Sequence, residues 1–182
     1  WHIPLWSKRT MSNLRFINEI TLGSAAASLS VTNVFSADYD IYQITFTDTE
    51  LAALDWVELR FINSGGSVVS ASEYDGAVLE LDTSGTYGEG KEVNDTNFSR
   101  LIRSHTSEAK GGVATMHLFN PFSSSSYTYG LVQSNGVITN GFGTKGMFCL
   151  TQASSITGFQ IYLNGGSNLN KSTIKTYGLA VT

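Results

Sequence analysis

The chain has 182 residues, of which 14% are charged, with 18 glycines and a formal net charge of −4. That length suits one domain, and such a domain buries roughly 70% of the surface its unfolded chain exposes, enough for a core without staples. The weakly acidic balance and the lack of a Lys/Arg cluster argue against nucleic acid, Cys149 alone forms no internal disulfide, and no apolar run approaches the ~20 residues of a membrane span. The expectation is a soluble, all-β protein in which short strands alternate with turns rich in Gly, Ser, Thr and Asn.

Residues 1–13 read as an N-terminal arm, leaving 14–182 as a β-sandwich domain. In the arm, Trp1, Ile3, Leu5 and Trp6 supply apolar anchors, Lys8 and Arg9 follow, and Pro4 opposes a regular helix start. Exposed Trp pairs are unusual on monomers and common as interface anchors. Trp1, Ile3, Leu5, Trp6, Lys8 and Arg9 are therefore the candidate partner-binding residues. The alternative, that both Trp rings fold back onto their own domain, stands beside it. The chain opens on Trp1 and its first Met is Met11, so upstream residues are expected to be missing or processed.

From Leu14 the pattern becomes β. Leu14, Phe16, Ile20 and Leu22 share one parity, residues 23–27 make a turn and 29–34 a partner strand. In residues 39–47, Tyr42, Ile44 and Phe46 fall on one face of a strand, with Gln43 and Thr45 on the other. Thr47-Asp48-Thr49-Glu50 matches a capping box and predicts a single helical turn. Residues 55–62 follow as a half-buried strand, with Val57, Leu59 and Phe61 inward and Glu58 and Arg60 outward. Asn63-Ser64-Gly65-Gly66 ends it, because Gly and Asn take the positive φ that a tight reversal needs. The same unit recurs where Phe159, Ile161 and Leu163 precede Asn164-Gly165-Gly166.

Between these units, residues 78–81 predict a short strand and 82–94 a Gly-rich loop. Residues 97–106 fit either helical spacing or an edge strand. Further on, 113–120 place Ala114, Met116 and Leu118 inward, with Thr115 and His117 outward. Residues 127–132 resume the strand pattern, 141–146 suggest a turn, and 146–150, 156–163 and 174–181 complete the set. About eight to ten closely spaced strands with under a tenth helix predict an antiparallel β-sandwich of jelly-roll type. Ile44, Phe46, Leu59, Phe61, Met116, Leu118, Ile161 and Leu163 are the expected core.

Catalytic and metal motifs are scarce. Gly141-Phe142-Gly143-Thr144-Lys145-Gly146 spells G-x-G-x-x-G, but no strand–helix unit surrounds it to hold a phosphate. His2, His105 and His117 lack carboxylates at metal-ligand spacing. Glu73, Asp75, Glu80 and Asp82 read as solvated acids, and Cys149 as a small buried hydrophobe. No metal, cofactor or enzymatic activity is expected.

The run of residues 16–34, Phe-Ile-Asn-Glu-Ile-Thr-Leu-Gly-Ser-Ala-Ala-Ala-Ser-Leu-Ser-Val-Thr-Asn-Val, resembles the opening strand–turn–strand of small virion proteins of tailed bacteriophages. Residues 39–47, Leu59-Arg60-Phe61, 112–127 with Asn120-Pro121-Phe122, 156–159 and Tyr177-Gly178-Leu179 are similar too. The resemblance spans about residues 14–181. It implies β-sandwich modules serving as capsid decoration (cement) proteins or as tail-fibre and tail-accessory domains, with no catalytic motif. The expected function is then a non-enzymatic virion structural protein, most simply a capsid decoration protein. Its partners would be other capsid or tail proteins and further copies of itself. The alternative is a tail receptor-binding module for host-surface glycan, for which Trp56, Tyr74, Tyr127 and Tyr129 with Asn135 and Asn140 are the candidates. A polysaccharide-cleaving enzyme would need a carboxylate pair that the sequence does not place.

Overall fold

Alternation of apolar and polar residues governs nearly every element of the computed structural model, which describes residues 13–106 and 111–180. The described strands are β1 (Leu14–Thr21), β2 (Ser28–Val31), β3 (Ile41–Leu51), β4 (Asp55–Asn63), β5 (Tyr74–Asp82), β6 (Tyr87–Asp95), β7 (Phe98–Ser104), β8 (Gly112–Phe119), β9 (Thr128–Val137), β10 (Gly141–Leu150), β11 (Ile156–Leu163) and β12 (Leu169–Leu179). Eight of them form one sheet in the order β1-β12-β3-β8-β9-β10-β5-β6, and four form a second in the order β2-β11-β4-β7. All pairings are antiparallel. The two sheets pack together as a β-sandwich, and no helix occurs among the described residues.

The core lies between the inner faces. Ile44, Phe46, Leu59, Phe61, Met116, Leu118 and Ile161 are wholly buried and Leu163 nearly so, as their parity predicts. Rings fill the centre: Phe61 stacks on Tyr74 with centroids 6.1 Å apart, and Phe98 stacks on Phe148 at 4.5 Å. The Tyr74 hydroxyl ties this cluster to the backbone, accepting from the Phe61 amide at 2.8 Å and donating to the Val69 carbonyl at 3.0 Å. The predicted Asn/Gly reversals are present. Gly66 and Gly166 have φ of 78° and 72°, and the Asn63 side chain accepts from the amides of Gly65 and Ser67.

Four local expectations are corrected. The capping box forms no helical turn: β3 continues through it to Leu51, with one irregularity at Asp48 (φ 53°) that keeps Thr49 and Leu51 buried. Phe16 faces outward, 60% exposed, because the β1–β12 register shifts between Phe16 and Asn18 and breaks the assumed parity. The Gly-rich stretch 82–94 is mostly strand β6, and the G-x-G-x-x-G run belongs to strand β10. In both, glycine answers crowding from neighbours. A Cβ on Gly90 would overlap Arg100, and one on Gly146 would sit 2.5 Å from the Ala77 carbonyl oxygen. Residues 97–106 resolve to the edge strand β7.

Candidate interaction surface on the eight-stranded sheet

The outer face of a sandwich sheet ordinarily carries polar residues, and here it does so only in part. Cross-strand register aligns one residue from each strand into rows. The first row runs Leu14, Leu179, Ile41, Phe119, Tyr129 and Cys149, from β1 across to β10. The neighbouring row begins with Phe16 and Tyr177, passes Gln43 and His117, and ends with Leu131, Met147 and Ala77. Leu131 is 51% exposed and Met147 60%. The Phe16 and Tyr177 rings meet edge to face at 5.8 Å. Two shallow hollows of about 780 and 510 Å³ share Ala77, Leu131 and Met147 in their lining. Strands ~4.8 Å apart and rows ~7 Å apart give this band a footprint on the order of 400 Å², apolar except at Gln43 and His117, with Leu14, Ile41, Phe119 and Cys149 half-buried within it. The next row turns polar, with Glu19, Lys175, Thr45, Thr115, Gln133 and Lys145, and Lys175 pairs with Glu19 at 3.3 Å.

The glycan candidates do not converge. Tyr74 is wholly buried. Trp56 carries the guanidinium groups of Arg100 and Arg103 near its ring, 5.6 and 5.4 Å from the centroid, and meets Phe142 edge to face. Tyr127 and Tyr129 lie together on the surface with centroids 6.5 Å apart, whereas Asn135 is six residues further along β9 and the Asn140 side-chain amide donates to Asp82, at the end of β5, at 3.4 Å.

The acidic candidates separate as well. Strand alternation turns Asp75 outward, where it accepts from the Asn94 amide, and Glu80 inward to an ion pair with Arg100. Asp82 is half-buried at the end of β5, and the Ser84 amide holds its carboxyl below the usual carboxylate range. Glu92 faces Arg100 at 3.8 Å and takes a hydrogen bond from Ser99. One guanidinium thus serves both inward carboxylates. Glu58 lies on the outer side of the small sheet, as its parity predicts, and is nonetheless buried. Burial pushes its carboxyl up, against the opposing influence of the neighbouring Tyr162 hydroxyl and the charge of Arg60.

Cys149 is half-buried on the outer face, and burial raises its thiol further from ionisation. His117 lies on the outer face of β8, as expected. Among the described residues no group of three or more His, Cys, Asp or Glu could hold a metal ion. Trp1, Ile3, Leu5, Trp6, Lys8 and Arg9, together with His2, lie outside the described residues. The apolar band escaped the sequence reading because no single strand contributes more than a residue or two to it.

No family model and no curated protein matches the chain. Among solved structures, a fructofuranosidase from Schwanniomyces occidentalis aligns at 6% identity and a TM-score of 0.20, covering 97% of this chain and 35% of that one. The structure of infectious bursal disease virus Gx strain aligns at 10% identity and a TM-score of 0.18, covering 93% and 39%. The chain therefore spans well under half the length of either, and overlaps this weak carry no functional argument.

Proposed function

We propose that this chain is a non-enzymatic structural protein of a phage virion that decorates the capsid, laying the outer face of its eight-stranded sheet against the shell. The single observation carrying this reading is the apolar band, since a contiguous exposed patch of this size on a monomer is often functional. Its residues come from regular strands with paired backbones, so the surface is rigid before binding and little ordering entropy opposes association. The resemblance of residues 16–34 and of later segments to phage virion proteins supplies the partner class. The arm residues Trp1, Ile3, Leu5, Trp6, Lys8 and Arg9 remain proposed as a second anchor.

A glycan-binding tail module is the second reading, favoured by the paired, exposed Tyr127 and Tyr129 rings, which offer stacking faces for a sugar. Co-sedimentation separates the two. Wild-type chain should pellet with particles lacking it, and L131K and M147K should not, while both variants keep the wild-type melting point. Variants that still pellet at full occupancy would refute attachment through this face. Loss of cell-surface glycan binding in Tyr127→Ala, with particle attachment untouched by any face variant, would favour the second reading.

A further inference from the structure

Strand β6 ends the eight-stranded sheet, and among the described residues no strand pairs with its outer side. An open edge is a template for another strand. The Asp82 amide donates to the Thr86 carbonyl at 3.2 Å, which sets the phase of the β5–β6 ladder. Backbone groups alternate sides along a strand. Gly88 and Gly90 therefore turn their amides and carbonyls to β5, and Tyr87, Glu89 and Lys91 turn theirs to the open edge. The side chains of those three residues are exposed, Tyr87 at 76%, and Val93 beyond them is 67% exposed. No proline interrupts the strand, and its register with β5 is unbroken from Tyr87 to Glu92.

We propose that β6 is a homodimer edge: two copies pair antiparallel about a two-fold axis at Gly90, joining their large sheets into one. This centring follows from the sequence of the strand. It sets Glu89 opposite the partner's Lys91 and Lys91 opposite the partner's Glu89, both as hydrogen-bonded pairs. It also sets Tyr87 opposite the partner's Val93, an aromatic against a β-branched side chain, twice over. Opposite charges and aromatic–β-branched pairs are the cross-strand combinations that stabilise antiparallel sheets. The neighbouring registers are excluded by charge. Moving the axis one residue back sets Glu89 against the partner's Glu89, and one residue forward sets Lys91 against the partner's Lys91. The contact is isologous and closes at two copies, so it does not propagate into fibres. It places two apolar bands side by side on one continuous surface. The proposal stands on the edge strand alone and does not depend on the virion reading.

Sedimentation equilibrium of the full chain tests it. The wild type should dimerise within ~1–100 µM, and E89K or K91E should each raise the dissociation constant about ten-fold or more by setting like charges opposite one another. An equal mixture of the two single variants should dimerise again, because every pair across the edge is then Lys against Glu. The E89K/K91E double variant should do the same. Melting points of the single variants should match wild type at concentrations low enough for the wild type to be monomeric, since both side chains are exposed. A wild type that stays monomeric over that range would overturn the proposal. So would a dimer indifferent to the single changes, or a failure of both the mixture and the double variant to recover.

Discussion

Replacing Tyr74 by Phe removes one oxygen from the middle of the core, and the structure sets what that costs. The Tyr74 side chain is wholly buried, and its hydroxyl joins the Phe61 amide to the Val69 carbonyl at 2.8 and 3.0 Å. Without the oxygen, a buried donor and a buried acceptor lose their partner together, at about 1–3 kcal/mol each. Tyr74→Phe should therefore lose ~2–6 kcal/mol, and since ~1 kcal/mol moves the midpoint of a domain this size by ~2–4 °C, the melting temperature should fall by at least ~4 °C. The control is Tyr127→Phe, an exposed hydroxyl whose loss should stay within ~0.5 kcal/mol. A pH series adds a second readout. Burial pushes the Tyr74 phenol above its ordinary value, so the folded state keeps a proton that the unfolded chain releases near pH ~10. The stability this confers is complete below that pH and is lost as pH climbs past it. Tyr74→Phe should soften the alkaline loss without abolishing it, because burial raises Tyr42 and Tyr162 as well. Urea melts that place Tyr74→Phe within ~0.5 kcal/mol of wild type would refute the assignment of the hydroxyl as a core bridge.

Phe61→Ala should lose ~3–5 kcal/mol through lost burial and the cavity left among Tyr74 and Phe148; a loss under ~1 kcal/mol in a denaturant melt would contradict the packing described. Glu58 is held above the ordinary carboxyl range by burial, so what it contributes to the fold is present in acid and lost as pH rises through that range toward its folded value. Glu58→Gln should accordingly raise the urea midpoint near pH ~7 by more than near pH ~4, and an equal shift at both would sink the idea. Met147→Lys should leave stability within ~0.5 kcal/mol because the side chain is exposed, while weakening particle attachment; the reverse pattern in paired melting and co-sedimentation assays would remove Met147 from the contact face.

Much of the fold is legible because a half-buried strand writes its inner face as every second residue, and Tyr42, Ile44 and Phe46 or Ala114, Met116 and Leu118 do so plainly. Asn63 and Asn164 with their following glycines mark reversals for a local reason, and local reasons survive in the sequence. What misleads is glycine used for packing. Gly88 and Gly90 lie in a strand whose inward neighbours, Glu80 beside Gly88 and Arg100 beside Gly90, crowd the space that Cβ atoms would need, and those neighbours lie 8 and 10 residues away. The capping box fails similarly: Thr49 is fixed by the Ser172 hydroxyl at 3.1 Å, a contact 123 residues distant. The candidate surface is the least legible feature. Leu179, Ile41, Phe119 and Tyr129 become neighbours only through the strand order, so no window of sequence contains the band they form.

The outer face of the eight-stranded sheet is proposed to meet a phage capsid. Cryo-EM of intact particles tests it most directly. β-Sandwich density is expected on the shell, with Leu131, Met147 and Phe119 covered by capsid protein. Purified particles that lack the chain, or density in which that face is turned to solvent, would contradict it.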